Sequence, residues 1–167
     1  MKKFILRYGL LSLIFSAAIF LIMLVIGKGL SFKTQEVLGY VSIITSLSFV
    51  FFGIKQFRDK ENGGVISFGK ALGMGMLITL FVALGFAIID YIYTAYINPE
   101  FAQQYLEYSL SELDKTMSGD ELFAAKESMK KQMESFGSAF GALFMFVLVT
   151  VIGFIISLIS SLFLQRK

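Results

Sequence analysis

Four long stretches without a charged residue constrain this chain more than anything else in it: Tyr8–Ile26, Val37–Ile54, Ala71–Ile89 and Ser135–Gln165. An α-helix rises about 1.5 Å per residue and the hydrocarbon core of a bilayer is about 30 Å thick, so about 20 apolar residues cross it. Buried helices of a soluble protein are the competing explanation, but uncharged runs this long are rare in soluble cores. The expected fold class is therefore all-α, an integral membrane four-helix bundle. Its spans fall at about 8–26, 37–54, 71–92 and 140–164 of one domain covering 1–167. An extracytoplasmic amphipathic helical hairpin, about 98–134, is expected between spans three and four.

Composition agrees and narrows the chemistry. Hydrophobic residues make up 56% of the chain and charged ones 16%, and the charges lie between the stretches. The chain has no Cys and no His. That removes disulfides, thiolate chemistry, the common zinc sites and the usual neutral-pH proton shuttle. With no Trp, Tyr and Phe must supply any interfacial aromatic belt. The net charge of +3 does not point to nucleic acid, because the basic residues flank spans instead of forming a face of their own. No metal site and no cofactor site is expected.

The first stretch has features of a secretory signal: Lys2, Lys3 and Arg7 precede it, and Ser16-Ala17-Ala18 is a small-residue cluster. That cluster sits mid-run, with eight apolar residues after it, so an uncleaved span is expected. Charge then orients the bundle. With the N-terminus inside, segments 1–7, 55–70 and 165–167 carry nine basic residues in 26 positions. These are Lys2, Lys3, Arg7, Lys55, Arg58, Lys60, Lys70, Arg166 and Lys167. The outer segments 27–36 and 90–134 carry six in 55 positions. Both termini are thus expected to face the cytoplasm. The 90–134 segment, with nine acids and four bases, is expected outside.

The fourth stretch should insert most strongly. Its fourteen Leu, Ile, Phe and Val between Ala142 and Leu162 contribute roughly −4 to −8 kcal/mol at about −0.3 to −0.6 each. The second is weakest, because it contains Ser42, Thr45, Ser46 and Ser48. Within lipid, small residues four apart let helix backbones approach. Gly75, Thr79, Ala83 and Ala87 form such a stripe in the third span, with Gly69 and Gly73 extending it. Gly137 and Gly141, then Gly153, Ser157 and Ser161, do so in the fourth, and Ser42/Ser46 and Ser12/Ser16 in the second and first. These stripes read as packing within one bundle. A homodimer seam through Gly153, Ser157 and Ser161 is the sharper alternative.

Asn98-Pro99-Glu100 reads as a helix start. Ala102, Leu106, Leu110, Leu113 and Met117 then recur at helical spacing. Ser118-Gly119-Asp120-Glu121 reads as a break plus capping box, and a second helix carries Leu122, Ala125, Met129 and Met133 on one side, with Lys126, Lys130 and Glu134 near the other. This hairpin should lie on the membrane surface or bundle mouth. Docking a protein partner is the alternative, and the acidic excess argues against adhesion to anionic lipid.

In the 55–70 loop, Asn62-Gly63-Gly64 is a turn signal and Ser67 is placed to cap the third span. The P-loop spacing is missing, so nucleotide binding is not expected. Arg58 and Asp59 are read as a local ion pair or a headgroup contact. The run Gly53-Ile-Lys-x-Phe-Arg-Asp followed by Asn62-Gly-Gly-Val-Ile-Ser-Phe-Gly-Lys-Ala-Leu resembles a family of small bacterial membrane proteins, domain of unknown function 4199. Tyr96-Ile-Asn-Pro-Glu-Phe and Gly153-x-x-Ile-Ser-Leu-Ile-Ser also resemble it. The resemblance implies a four-span bacterial inner-membrane protein and supplies no catalytic residues.

Asp90 is the one acid abutting an apolar run. An intramembrane carboxylate suggests an ion or proton role, but its place at a span end, beside Tyr91, Tyr93 and Tyr96, favours an interfacial position. No paired carboxylates and no nucleophile–base pair occur in the spans, so an enzyme is not expected. The lone proline, Pro99, lies outside the spans, unlike the broken spans of transporters. Two readings follow: a non-enzymatic membrane scaffold or interaction protein showing its acidic hairpin, or a small oligomeric channel or carrier using Asp90.

Overall fold

The computed structural model describes residues 2–134 and 137–166, so the expectations at Ser135 and Lys167 lie outside it, as do those for the side chains of Met133 and Glu134. Helices are α1 (Lys2–Gly27), α2 (Phe32–Gln56), α3 (Phe68–Ile92), α4 (Phe101–Thr116), α5 (Gly119–Glu134) and α6 (Ser138–Leu164). A π-helical turn extends α2 through Phe57–Glu61, and another extends α3 through Tyr93–Ile97. Four of these helices, counted with their extensions, are long and apolar enough to cross a membrane. The first three overrun their apolar stretches at both ends, because helical hydrogen bonding does not stop where charge begins, whereas α6 lies within its own.

Helices α2 and α3 each pack against all three other long helices, whereas α1 and α6 meet one another little. The α2–α3 pair is thus the bundle's spine. The core is apolar along its axis, with Leu47, Val50, Ile54, Ile78, Val82, Phe86 and Val149 fully buried. The rest of the interior is rich in hydroxyls: Ser12, Ser16, Ser42, Ser46, Thr79, Ser157 and Ser161 are buried too. The exterior is the reverse. Leu10, Ile14, Ile22, Val41, Ile44, Leu84, Val147, Val151, Ile155 and Leu162 all point outward. A water-soluble fold would bury those side chains; lipid accepts them.

The hydroxyls stay inside because most bond the backbone of their own helix. Ser12 donates to Gly9 O at 2.8 Å, Ser42 to Leu38 O at 2.7 Å and Ser161 to Ser157 O at 2.6 Å. Others tie helices together. Ser16 Oγ reaches Val82 O on α3 at 3.2 Å, and the Thr79 and Ser157 hydroxyls lie 3.3 Å apart between α3 and α6. Ser46 Oγ is buried without a partner among the described residues.

Small residues make these approaches possible. A Cβ on Gly75 would lie 2.9 Å from Ser157 Oγ, and one on Gly153 would run into the Thr79 side chain and sit 3.0 Å from Leu47. Ala83 is fully buried on the same face of α3. The surface of Gly153, Ser157 and Ser161 is therefore occupied by helices of the same chain. Three glycines behave otherwise than their spacing suggests. Gly69, Gly73 and Gly137 have nothing within 4 Å of where a Cβ would stand. Gly137 is the N-cap of α6. Closest to the neighbouring backbone is Gly85, which the spacing did not single out: a Cβ there would stand 2.7 Å from Leu13 O.

One end of the bundle, hereafter the terminal end, gathers the start of α1, the 57–67 loop and the C-terminus. The other, the hairpin end, carries the α1–α2 turn and α4–α5. The hairpin's first helix starts at Phe101, two residues past Pro99, with Glu100 as N-cap and Asn98 O accepting from Phe101 N at 3.0 Å. Ser67 occupies the N-cap of α3 but makes no side-chain capping bond.

Candidate functional site

At the hairpin end the helices part around a cavity of about 240 Å³. Its walls are apolar: Phe20 and Leu24 from α1, Ile43 from α2, and Phe144, Met145 and Leu148 from α6. Tyr40, Tyr93, Phe101 and Tyr105 add an aromatic side. Two carboxylates join them, Asp90 from α3 and Glu36 from α2. Asp90 is half-buried and faces the backbone of α6, where a Cβ on Gly141 would lie 3.4 Å from its Oδ2. Among the described residues nothing donates a hydrogen bond to the Asp90 carboxylate and no cation pairs with it. Gly141 thus meets α3 through the Asp90 side chain.

Helix α4 roofs the cavity. Phe101, Tyr105 and Tyr108 recur at the spacing of one helical face, and all three rings meet Phe32 at the start of α2, at centroid distances of 6.0, 5.9 and 5.1 Å. Tyr93, buried by the π-helical turn that ends α3, meets Phe101 edge-on at 5.7 Å. The turn closes through Asn98 N to Tyr93 O at 2.7 Å. Tyr105 Oη donates to Glu36 Oε1 at 3.0 Å. Burial, and then that bond to Glu36, push the Tyr105 hydroxyl above its ordinary pKa, so it remains a donor at neutral pH. Aromatic pairs contribute about 0.5–1.5 kcal/mol each beyond burial, so the ring cluster, more than the single hydrogen bond, holds α4 down. Tyr105→Phe should accordingly weaken the roof by only about 0.5–1.5 kcal/mol. Tyr105→Ala should free α4, seen as faster amide exchange through Phe101–Thr116.

The sequence isolated Asp90 and missed Glu36, because Glu36 lies in the polar start of α2, residues 33–36, with no apolar pattern of its own. The Phe101/Tyr105/Tyr108 repeat was the legible signal for the roof. The apolar positions that stood out instead, Ala102, Leu106, Leu110 and Leu113, are half-buried, as are Leu122, Ala125 and Met129 of α5, whereas Met117 is exposed.

Arg58 and Asp59 stand at the other end and belong to a clasp, far from the cavity in the fold. The π-helical turn Phe57–Glu61 turns Arg58 inward, where it is buried. Its Nη1 donates to Leu164 O at the last turn of α6 at 3.2 Å, and its Nε bonds Asp59 Oδ1 at 2.6 Å. Leu164 O is a helix-end carbonyl with no intrahelical donor, so the guanidinium caps α6 and offsets its dipole. Ile66 and Arg166 then exchange both backbone hydrogen bonds, at 3.0 and 2.9 Å. Gly63 and Gly64 take φ of 64° and 82°, the left-handed geometry that lets Gly64 N return to Arg58 O. Lys70 bonds Asn62 Oδ1 at 2.8 Å and lies over the Phe57 ring. Arg58, Asp59, Asn62 and Lys70 are thus all engaged in holding this loop.

An apolar exterior, a hydroxyl-lined interior and four helices of spanning length define a helical membrane protein with one end opened into a cavity. Residues 7–166 match the family model described as protein of unknown function (DUF4199), and the chain belongs to that family. No curated protein and no solved structure matches it. Among the described residues no group of three or more Asp or Glu could hold a metal ion.

Proposed function

We propose that this is a multi-pass protein of the bacterial inner membrane, with both termini cytoplasmic, that acts without enzymatic chemistry. It serves as a scaffold that offers its acidic α4–α5 hairpin to a protein partner outside. The observation that carries this reading is the unequal seating of the two hairpin helices. Helix α4 is fixed to the bundle by its aromatic face, while α5 packs chiefly on α4 and leaves Phe123 72% exposed. The Lys126–Asp114 ion pair spans the two helices and holds them as one unit. Charge density supports the orientation, since the terminal end is the basic one.

The absence of Cys makes topology easy to read. Ser118→Cys should react with a membrane-impermeant maleimide in intact cells, and Asn62→Cys only after permeabilisation; the opposite pattern would reverse the assignment. A photocrosslinking residue at position 123 should give a discrete adduct heavier than two copies of the chain. Only lipid adducts, or only a dimer of the chain, would overturn the scaffold reading.

The cavity favours a second reading, a small carrier that uses Asp90. The filled axis of Leu47, Val50, Ile78 and Val82 argues against a pore through one chain, so permeation would have to run between copies of a homo-oligomer. Unchanged solute flux and growth in an Asp90→Asn strain would remove it.

A further inference from the structure

We infer that the hairpin-end cavity is a binding site for a small lipophilic ammonium, an amine or quaternary ammonium with an apolar body. Several independent features agree on this chemistry. The walls are hydrocarbon and would hold an apolar body by desolvation. The lining carries two carboxylates, Asp90 and Glu36, and no basic residue. Glu36 already accepts from Tyr105, whereas the Asp90 carboxylate has no donor or cation beside it among the described residues. A carboxylate held in that state among apolar groups is short of one positive charge or one donor. The aromatic side of the cavity adds ring faces, which attract ammonium groups, the more so when desolvated.

Size limits the occupant. Small-molecule pockets commonly measure about 300–1,000 Å³, and this one, at about 240 Å³, suits a compact ligand. Charge limits it further. A phospholipid headgroup would bring a phosphate beside two acids. Lys28 lines not this cavity but an adjoining polar one of about 280 Å³, with Phe32, Tyr93 and Phe101 lining both. A simple ammonium therefore fits better than a zwitterionic lipid. The inference is independent of what binds α5.

The test uses the full chain in maltoside micelles, with phenyltrimethylammonium as probe and tert-butylbenzene as its neutral isostere, measured by calorimetric titration. The ammonium should bind at least tenfold more tightly than the isostere. Asp90→Asn should lose at least tenfold in ammonium affinity at an unchanged melting temperature, and Met145→Trp, which fills the cavity, should abolish binding. Equal affinity for the two probes would overturn the inference, as would no binding, or binding that survives both variants. If Asp90→Asn does not fold, Met145→Trp alone decides the site and the isostere decides the charge. Repeating the titration in nanodiscs of phosphatidylglycerol with and without phosphatidylethanolamine tests the source. Loss of binding only with the ethanolamine lipid would overturn the preference for a free amine.

Discussion

Gly85→Leu should be the most damaging single substitution in the bundle. The new side chain would stand against the Leu13 carbonyl and the Ala17 amide of α1, at 2.7 and 3.3 Å from its Cβ, and against the Ser16 hydroxyl. Backbone cannot swing aside as a side chain can, so α1 must move off α3 and Ser16 must release Val82 O. Overpacking ordinarily costs about 1–3 kcal/mol, occasionally more, and the obstruction by backbone puts this site at the upper end. For a chain of this size that is a fall of about 6–12 °C in melting temperature. Gly73→Leu on the same helix is the control, because nothing lies within 4 Å of its Cβ; it should melt with the parent. Equal melting of the two variants would mean that α1 and α3 do not meet as described.

Arg58→Gln should undo the terminal end without unfolding the bundle. Hydrogen bonds to charged groups contribute about 1.5–3 kcal/mol, and leaving the buried carbonyl of Leu164 without its donor adds to the loss. Release of that carbonyl frays the last turn of α6, and with it the Arg166 half of the paired backbone bonds, while the buried Ile66 side chain keeps its own half seated in the core. Amide exchange at Ile66 and Arg166 should accelerate about ten- to hundredfold, since about 1.4 kcal/mol is a factor of ten. Arg58→Lys should not restore protection, because one ammonium cannot take the place of a guanidinium that serves Leu164 O and Asp59 together. Asp59→Asn should change little: its carboxylate is 38% exposed, and exposed ion pairs contribute little. Slow exchange retained in Arg58→Gln would show that the backbone pairing stands by itself.

The clasp also shows where reading residue by residue stops. Arg58 followed by Asp59 looks like an ion pair on any chain, and that pair forms. Its larger partner, Leu164 O, is 106 residues away in the chain and has no side-chain identity to recognise. The same holds for the small-residue stripes. Spacing found Gly75, Ala83, Gly153 and Ser157, all of which meet neighbours. It also found Gly69, Gly73 and Gly137, which meet none, and passed over Gly85. A four-residue period puts residues on one face of a helix but does not say whether another helix lies there.

By itself the sequence determined that four segments are long and apolar enough to cross a hydrocarbon layer, where turn residues interrupt the helices, and which family the chain resembles. Those properties are local sums: apolar length, turn residues and charge add up along the chain whatever the rest of it does. Only the tertiary structure decided that Glu36 and Asp90 share a cavity, that Phe101, Tyr105 and Tyr108 roof it, and that α6 ends on Arg58. Such meetings depend on the rotation and register of one helix against another. Those are set by many side chains packing at once, and no single segment carries them.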